Sequence, residues 1–198
     1  MPSKHDVTKA SILTAGLKMF LRRGFAGAGL TEILRTAKIP RGSFYHYFRS
    51  KEDFAVAIVE HAASRHLAEI ESFLADRDRT PRERLAAYLE HLVAHHAEHG
   101  HCVDCIVPKL ALEASQLSES IRAALAEAAA RLTTTFERPI AEGLSDGSFP
   151  AVAPAPVLAR ALVSTLQGAT IRMAIDDDVE PLREACDVWL DGILAARA

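Results

Sequence analysis

Residues 31–54 read TEILRTAKIPRGSFYHYFRSKEDF, and this stretch decides the fold. Thr31 can cap a short helix carrying Ile33, Leu34 and Ala37. Ile39-Pro40-Arg41-Gly42 then breaks the chain tightly. A third helix is predicted over about Ser43–Phe48. Phe44 and Phe48 stand four apart on it and share one face, which leaves Arg41, Ser43, Tyr45 and Tyr47 nearer solvent. Ser50 followed by Asp53 caps the next helix, predicted to run to about Phe73. Upstream, Ala10, Leu13, Leu17, Phe20 and Leu21 make one apolar stripe, stopped by Gly24 with Arg22 and Arg23 in its last turn. An amphipathic helix followed by two short helices split by a Pro/Gly turn is the pattern of a helix-turn-helix.

Charge points the same way. The chain has 198 residues and a formal net charge of −3, which hides an asymmetry. Residues 1–51 hold ten Lys and Arg against two acids, whereas the rest holds thirteen against twenty-four. A basic head on an acidic body suits a polyanionic partner, or simply a solvated basic face. Phenolic hydroxyls such as those of Tyr45 and Tyr47 donate to phosphate oxygens, and Lys51 adds a charge beside free amides at a helix start. Arg41, just ahead of the third helix, can donate a bidentate pair to guanine. On spacing alone a second reading stands, with the aromatics as core and the tyrosines as plain surface.

Other classes lose ground. With 49% apolar and 25% charged residues the composition is that of a globular chain. No apolar run reaches the roughly 18 residues of a membrane span, and the first residues do not read as a signal peptide. Three cysteines make no disulfide framework, so a reducing cytoplasm is expected. No Gly-rich phosphate loop, G-x-S-x-G or H-E-x-x-H is present, so an enzyme is not expected and no cofactor is called for.

Beyond residue 73 the pattern stays helical. Thr80-Pro81-Arg82-Glu83 combines a cap, a Pro in the first turn and an acid at the third position, and opens a helix ending at Gly100. Helices follow at about 107–114, from Ser118 to Gly143, at 157–175 and at 179–196, with SDGSFPAVAPAP at 145–156 as a connection. The expected fold is all-α, about nine helices, with a head at 1–50 and a body at 51–198.

Residues 31–54, together with Gly24-Phe25 and the first helix, closely resemble the DNA-binding signature of the TetR family, over roughly residues 8–60. The run RGSFYHYF at 41–48 followed by Ser50-Lys51-Glu52 is highly specific to it. The resemblance implies a three-helix DNA-binding head on a dimerisation and ligand-binding body. It implies a homodimeric repressor that binds a palindromic double-stranded operator and leaves it when a small-molecule effector binds. By motif position Thr31, Tyr45, Tyr47 and Lys51 would hold phosphates, and Arg41, Gly42, Ser43 and His46 would approach bases. The same head on an activator is the alternative.

A second likeness lies at 104–113, DCIVPKLALE. It is similar to the TetR branch that includes repressors responsive to N-ethylmaleimide and related electrophiles, with Cys105 on the branch's cysteine and Asp104 where Gly is usual. A thiol at a helix start is acidified by free amides, while Asp104 opposes this. Cys105 is therefore the candidate sensor, against a buried structural thiol lining a pocket. Cys102 and Cys105 form a C-x-x-C with His95, His99 and His101 upstream, and His91, His95 and His99 repeat at four; this opens a thiol/redox- or metal-responsive alternative, though the spacing lacks a second ligand pair and no metal is assigned. The stripes Leu158, Ala161, Leu162, Thr165, Leu166, Ala169, Met173 and Leu182, Ala185, Cys186, Trp189, Ile193 serve either a dimer interface or the protomer's own core. The effector pocket is expected among helices covering about 85–115 and 155–175.

Overall fold

The computed structural model describes residues 4–100, 106–113 and 118–195. The described residues form helices joined by turns, with no strand among them. In order they are α1 (Lys4–Gly27), α2 (Leu30–Ala37), α3 (Arg41–Phe44), α4 (Lys51–Leu74), α5 (Pro81–His99), α6 (Ile106–Ala111), α7 (Glu119–Ser145), α8 (Ala155–Asp176) and α9 (Glu180–Asp187), and α9 runs into a π-helical turn at Val188–Ile193. By packing the chain divides into two units: Met1–Ser64 with Asp104–Ala129, and Arg65–Val103 with Ala130–Ala198.

The first unit is built on α1, α2, α3 and the start of α4. Ile12, Leu17 and Phe20 of α1 bury with Ile33 and Leu34 of α2, Phe44 and Phe48, and Phe54 and Ile58 of α4. Gly16 lets α1 approach α4 closely, because a Cβ there would lie 2.3 Å from Phe54 Cζ. α6 and the first part of α7 join this unit; Ile106 and Leu110 of α6 and Ile121, Leu125 and Ala128 of α7 complete its core.

Local details differ from the sequence reading. Thr31 does not cap α2. The cap is Gly29, whose extended backbone offers its carbonyl to the amides of Glu32 and Ile33, so the helix starts before Thr31. The turn after α2 is made by Lys38 in the left-handed conformation, with the Ile39 amide donating to Leu34 O at 2.9 Å. The third helix is shorter than 43–48: α3 ends at Phe44, and a hydrogen-bonded turn continues it, with the amides of Tyr47 and Phe48 both donating to Phe44 O. The break at Gly24 (φ 69°, ψ 179°) and the Ser50 cap on the Asp53 amide at 3.1 Å are as expected.

The second unit packs Ile70 and Leu74 of α4, Leu85, Tyr88 and Leu89 of α5, Phe136 and Ile140 of α7, the inner face of α8, and Leu182, Cys186 and Trp189. Thr80 and Glu83 form the expected capping box on α5. The predicted helix at 179–196 changes period at Val188, where Leu194 N donates to Trp189 O. Arg82 secures this turn from α5 by donating to Leu190 O and pairing with Asp191 at 2.8 Å.

Arg84 is 3% exposed and is held by Glu142 and by Leu74 O at 2.9 Å, and Arg77 also pairs with Glu142, at 2.8 Å. The Arg84 guanidinium, with Arg77, holds the Glu142 carboxyl below its usual range. The carboxylate therefore stabilises the fold above the ordinary carboxylate range, and that contribution is lost as pH falls through the lowered pKa. Glu142→Ala should lower the unfolding free energy by about 2–4 kcal/mol at neutral pH, because it strands a buried guanidinium. In denaturant titrations the gap to wild type should narrow as pH drops; a gap that is constant with pH contradicts this assignment.

Candidate nucleic-acid interface and effector body

The surface around α3 follows from what is buried beneath it. Phe44 and Phe48 are 0% and 3% exposed. Their rings pack on Phe54, with centroids 5.3 and 4.8 Å away, and on each other at 5.3 Å. With both phenylalanines turned inward, Arg41, Gly42, Tyr45 and His46 are exposed, and Ser43 and Tyr47 are half-buried. A Cβ added at Gly42 would meet nothing within 4 Å, so the backbone there faces open space. Thr31 is exposed on α2. The six residues from Arg41 to Tyr47 that exclude Phe44 thus lie on one short, outward-facing segment, with Thr31 on the preceding helix.

Lys51 is engaged within its own unit. Its Nζ donates to Phe25 O at 2.6 Å and stands 4.5 Å from the centre of the Phe25 ring. Burial pushes its pKa down, while Glu52 and Glu113 pull it back up. The ammonium still carries three donors, so one bond to a carbonyl leaves capacity for a phosphate.

In the second unit a cavity of about 320 Å³ is lined by Ala86, Leu89, Val93, Cys186 and Leu190 and by the charged Arg82, Glu90, Arg183, Asp187 and Asp191. Its α5 wall lies in the expected region; its other wall is α9 and the π-helical turn rather than α8. The α5 histidines share a face as their spacing predicts: His95 stacks on His99 at 4.6 Å, and His91 bonds Glu69 at 2.8 Å. Among the described residues no three His, Cys, Asp or Glu side chains are grouped to hold a metal. Cys102 and Cys105 lie outside the described residues. Cys186 is buried, and burial pushes its thiol up to about 12, so it carries almost no thiolate at neutral pH. No helix among the described residues is long and apolar enough to cross a membrane.

The outward face of α8 is a second stripe beside the buried one. Leu158, Leu162, Leu166, Ala169 and Met173 are spent inside the unit's core. Val157, Ala161, Ser164, Gly168, Ile171 and Ile175 remain exposed, at alternating steps of four and three. Val157, Ile171 and Ile175 are 46%, 38% and 70% exposed, and nothing lies within 4 Å of a Cβ placed on Gly168. The sequence signal for this face was the small pair Ala161 and Gly168 among apolar residues at heptad spacing.

A helix-turn-helix arrangement with an exposed, arginine- and tyrosine-bearing third segment is the architecture of a DNA-binding transcription regulator. Family comparison agrees. Residues 12–58 match the family described as bacterial regulatory proteins, tetR family, and residues 81–189 match the tetracyclin repressor-like C-terminal domain. The chain belongs to the TetR family and is a DNA-binding transcriptional regulator. It is similar to the HTH-type transcriptional repressor NemR of Escherichia coli strain K12, with 32% identity over 183 residues covering 92% of each chain. It is also similar to the repressor DhaR of Mycobacterium sp. strain GP1, at 30% identity over 92% of this chain and 90% of that one. The crystal structure of the reduced form of E. coli NemR matches with a TM-score of 0.89, covering 97% of this chain and 99% of that chain.

Proposed function

We propose that the protein is a cytoplasmic repressor that binds a palindromic operator as a homodimer and releases it when a small molecule, electrophilic in character, engages the body. In this reading residues 1–50 are the DNA head and 51–198 sense the effector and form the dimer. The observation that carries it is the exposed Arg41–Tyr47 surface, created by the inward turn of Phe44 and Phe48. Arg41, Gly42, Ser43 and His46 approach base edges, and Thr31, Tyr45, Tyr47 and Lys51 hold the backbone.

The exposed α8 stripe supports the dimer. Small and apolar residues at heptad spacing suit a close, two-fold helix contact, and a palindrome needs two heads. The repressor names of the relatives NemR and DhaR support the sign of regulation. The electrophile reading rests on the likeness of segment 104–113 to the thiol-bearing branch.

Binding to a palindromic duplex should be salt-sensitive. Lys51→Ala should weaken it on all sequences and reduce the salt slope by about 1, whereas Arg41→Ala should cost about 1–3 kcal/mol mainly at one base position. Equal losses on operator and random DNA for Arg41→Ala contradict its base-reading role. Ile171→Glu on α8 should yield a monomer in light scattering and lose the operator with it; a dimer that survives this substitution places the interface elsewhere. N-ethylmaleimide should modify Cys105 well before Cys186, as mass spectrometry of the native protein would read, and Cys105→Ser should keep its operator in the presence of the reagent. An unchanged release in that variant removes Cys105 as the sensor.

A further inference from the structure

Gly24 breaks the helical backbone of α1, so the amides just after it stand where those of a helix start stand. The acceptor comes from far along the chain. Phe25 N and Ala26 N both donate to Glu113 Oε2, at 3.1 and 3.3 Å, across 88 and 87 residues. Glu113 is itself tied to α6, its amide donating to Leu110 O at 3.0 Å, and Ile106 and Leu110 of α6 are buried in the same core as α1. From the other side, Lys51 Nζ grips the Phe25 carbonyl and lies over the Phe25 ring, which meets Phe20 edge-on at 5.8 Å. One peptide is thus held by a carboxylate at its amide end and an ammonium at its carbonyl end. The position demands glycine at 24: its φ is positive, and a Cβ there would lie 1.9 Å from Glu113 Oε1.

We propose that Glu113 is a positioning residue for operator binding: by accepting from the Phe25 and Ala26 amides it fixes the peptide that holds Lys51, and so sets where the Lys51 ammonium meets phosphate. The carboxylate and Lys51 do not need to touch, because Phe25 carries the constraint between them. The proposal rests on the reading of Lys51 as a phosphate contact. It also gives α6 a direct chemical tie to the DNA-facing side of its own unit.

Two near-isosteric variants test it. Glu113→Gln keeps an acceptor oxygen at full reach, and Glu113→Asp keeps the charge but withdraws it by one methylene. Both are titrated with the operator duplex at a temperature where their far-UV circular dichroism matches the wild-type chain. Glu113→Asp should bind about tenfold more weakly and lose about one unit of salt slope, while Glu113→Gln stays within about twofold of wild type. A gap between the two of less than about threefold in affinity overturns the proposal. Lys51→Ala is measured alongside. An unchanged salt slope there refutes the phosphate role of Lys51, whereas the role of Glu113 is decided by the gap between its own two variants.

Discussion

The packing of Phe44 beneath the third helix is the constraint on which the rest depends. Its ring is fully buried among Phe48 and Phe54, with centroids 4.8–5.3 Å apart across the three. Each such ring stabilises the head by about 1.5–3 kcal/mol on burial. Two inward phenylalanines four residues apart leave a short segment no choice of face. Arg41, Gly42, Tyr45 and His46 are turned to solvent as a consequence, and the surface proposed to meet DNA is the far side of a small aromatic core.

The elements governed by local chemistry were legible in the sequence. The α1 stripe and its stop at Gly24, the Ser50–Asp53 start of α4 and the Thr80–Glu83 capping box all depend on residues within one turn of each other. At α2 the cap differs from the one read in the sequence. Thr31 has a capping side chain, but the helix already starts at Leu30, so Thr31 lies inside it and the Gly29 carbonyl accepts from the Glu32 and Ile33 amides. The turn before α3 was attributed to Pro40 and Gly42, yet Lys38 adopts the left-handed backbone that reverses the chain.

What the sequence could not show is long-range. Nothing near Glu113 announces that it caps a break 88 residues earlier, and nothing near Arg84 announces Glu142, 58 residues on. The first is a carboxylate accepting from backbone amides and the second an ion pair, and in both the partners meet only in the folded chain. On α8 periodicity found the stripe that fills the core, from Leu158 to Met173, but only burial shows that Ala161 within it is exposed and that Val157 and Ile175 belong to a second, outward face. Segment 41–48 was the reverse case, since the four-residue spacing of Phe44 and Phe48 already gave the face that is buried.

The account turns on two copies of one outward-facing segment meeting successive major grooves. Hydroxyl-radical footprinting of the purified protein on its palindromic operator tests this most directly. Two symmetric protected patches are expected, centred a whole number of helical turns apart, each turn about 34–36 Å. A single protected patch, or uniform protection with no two-fold symmetry, would contradict the account.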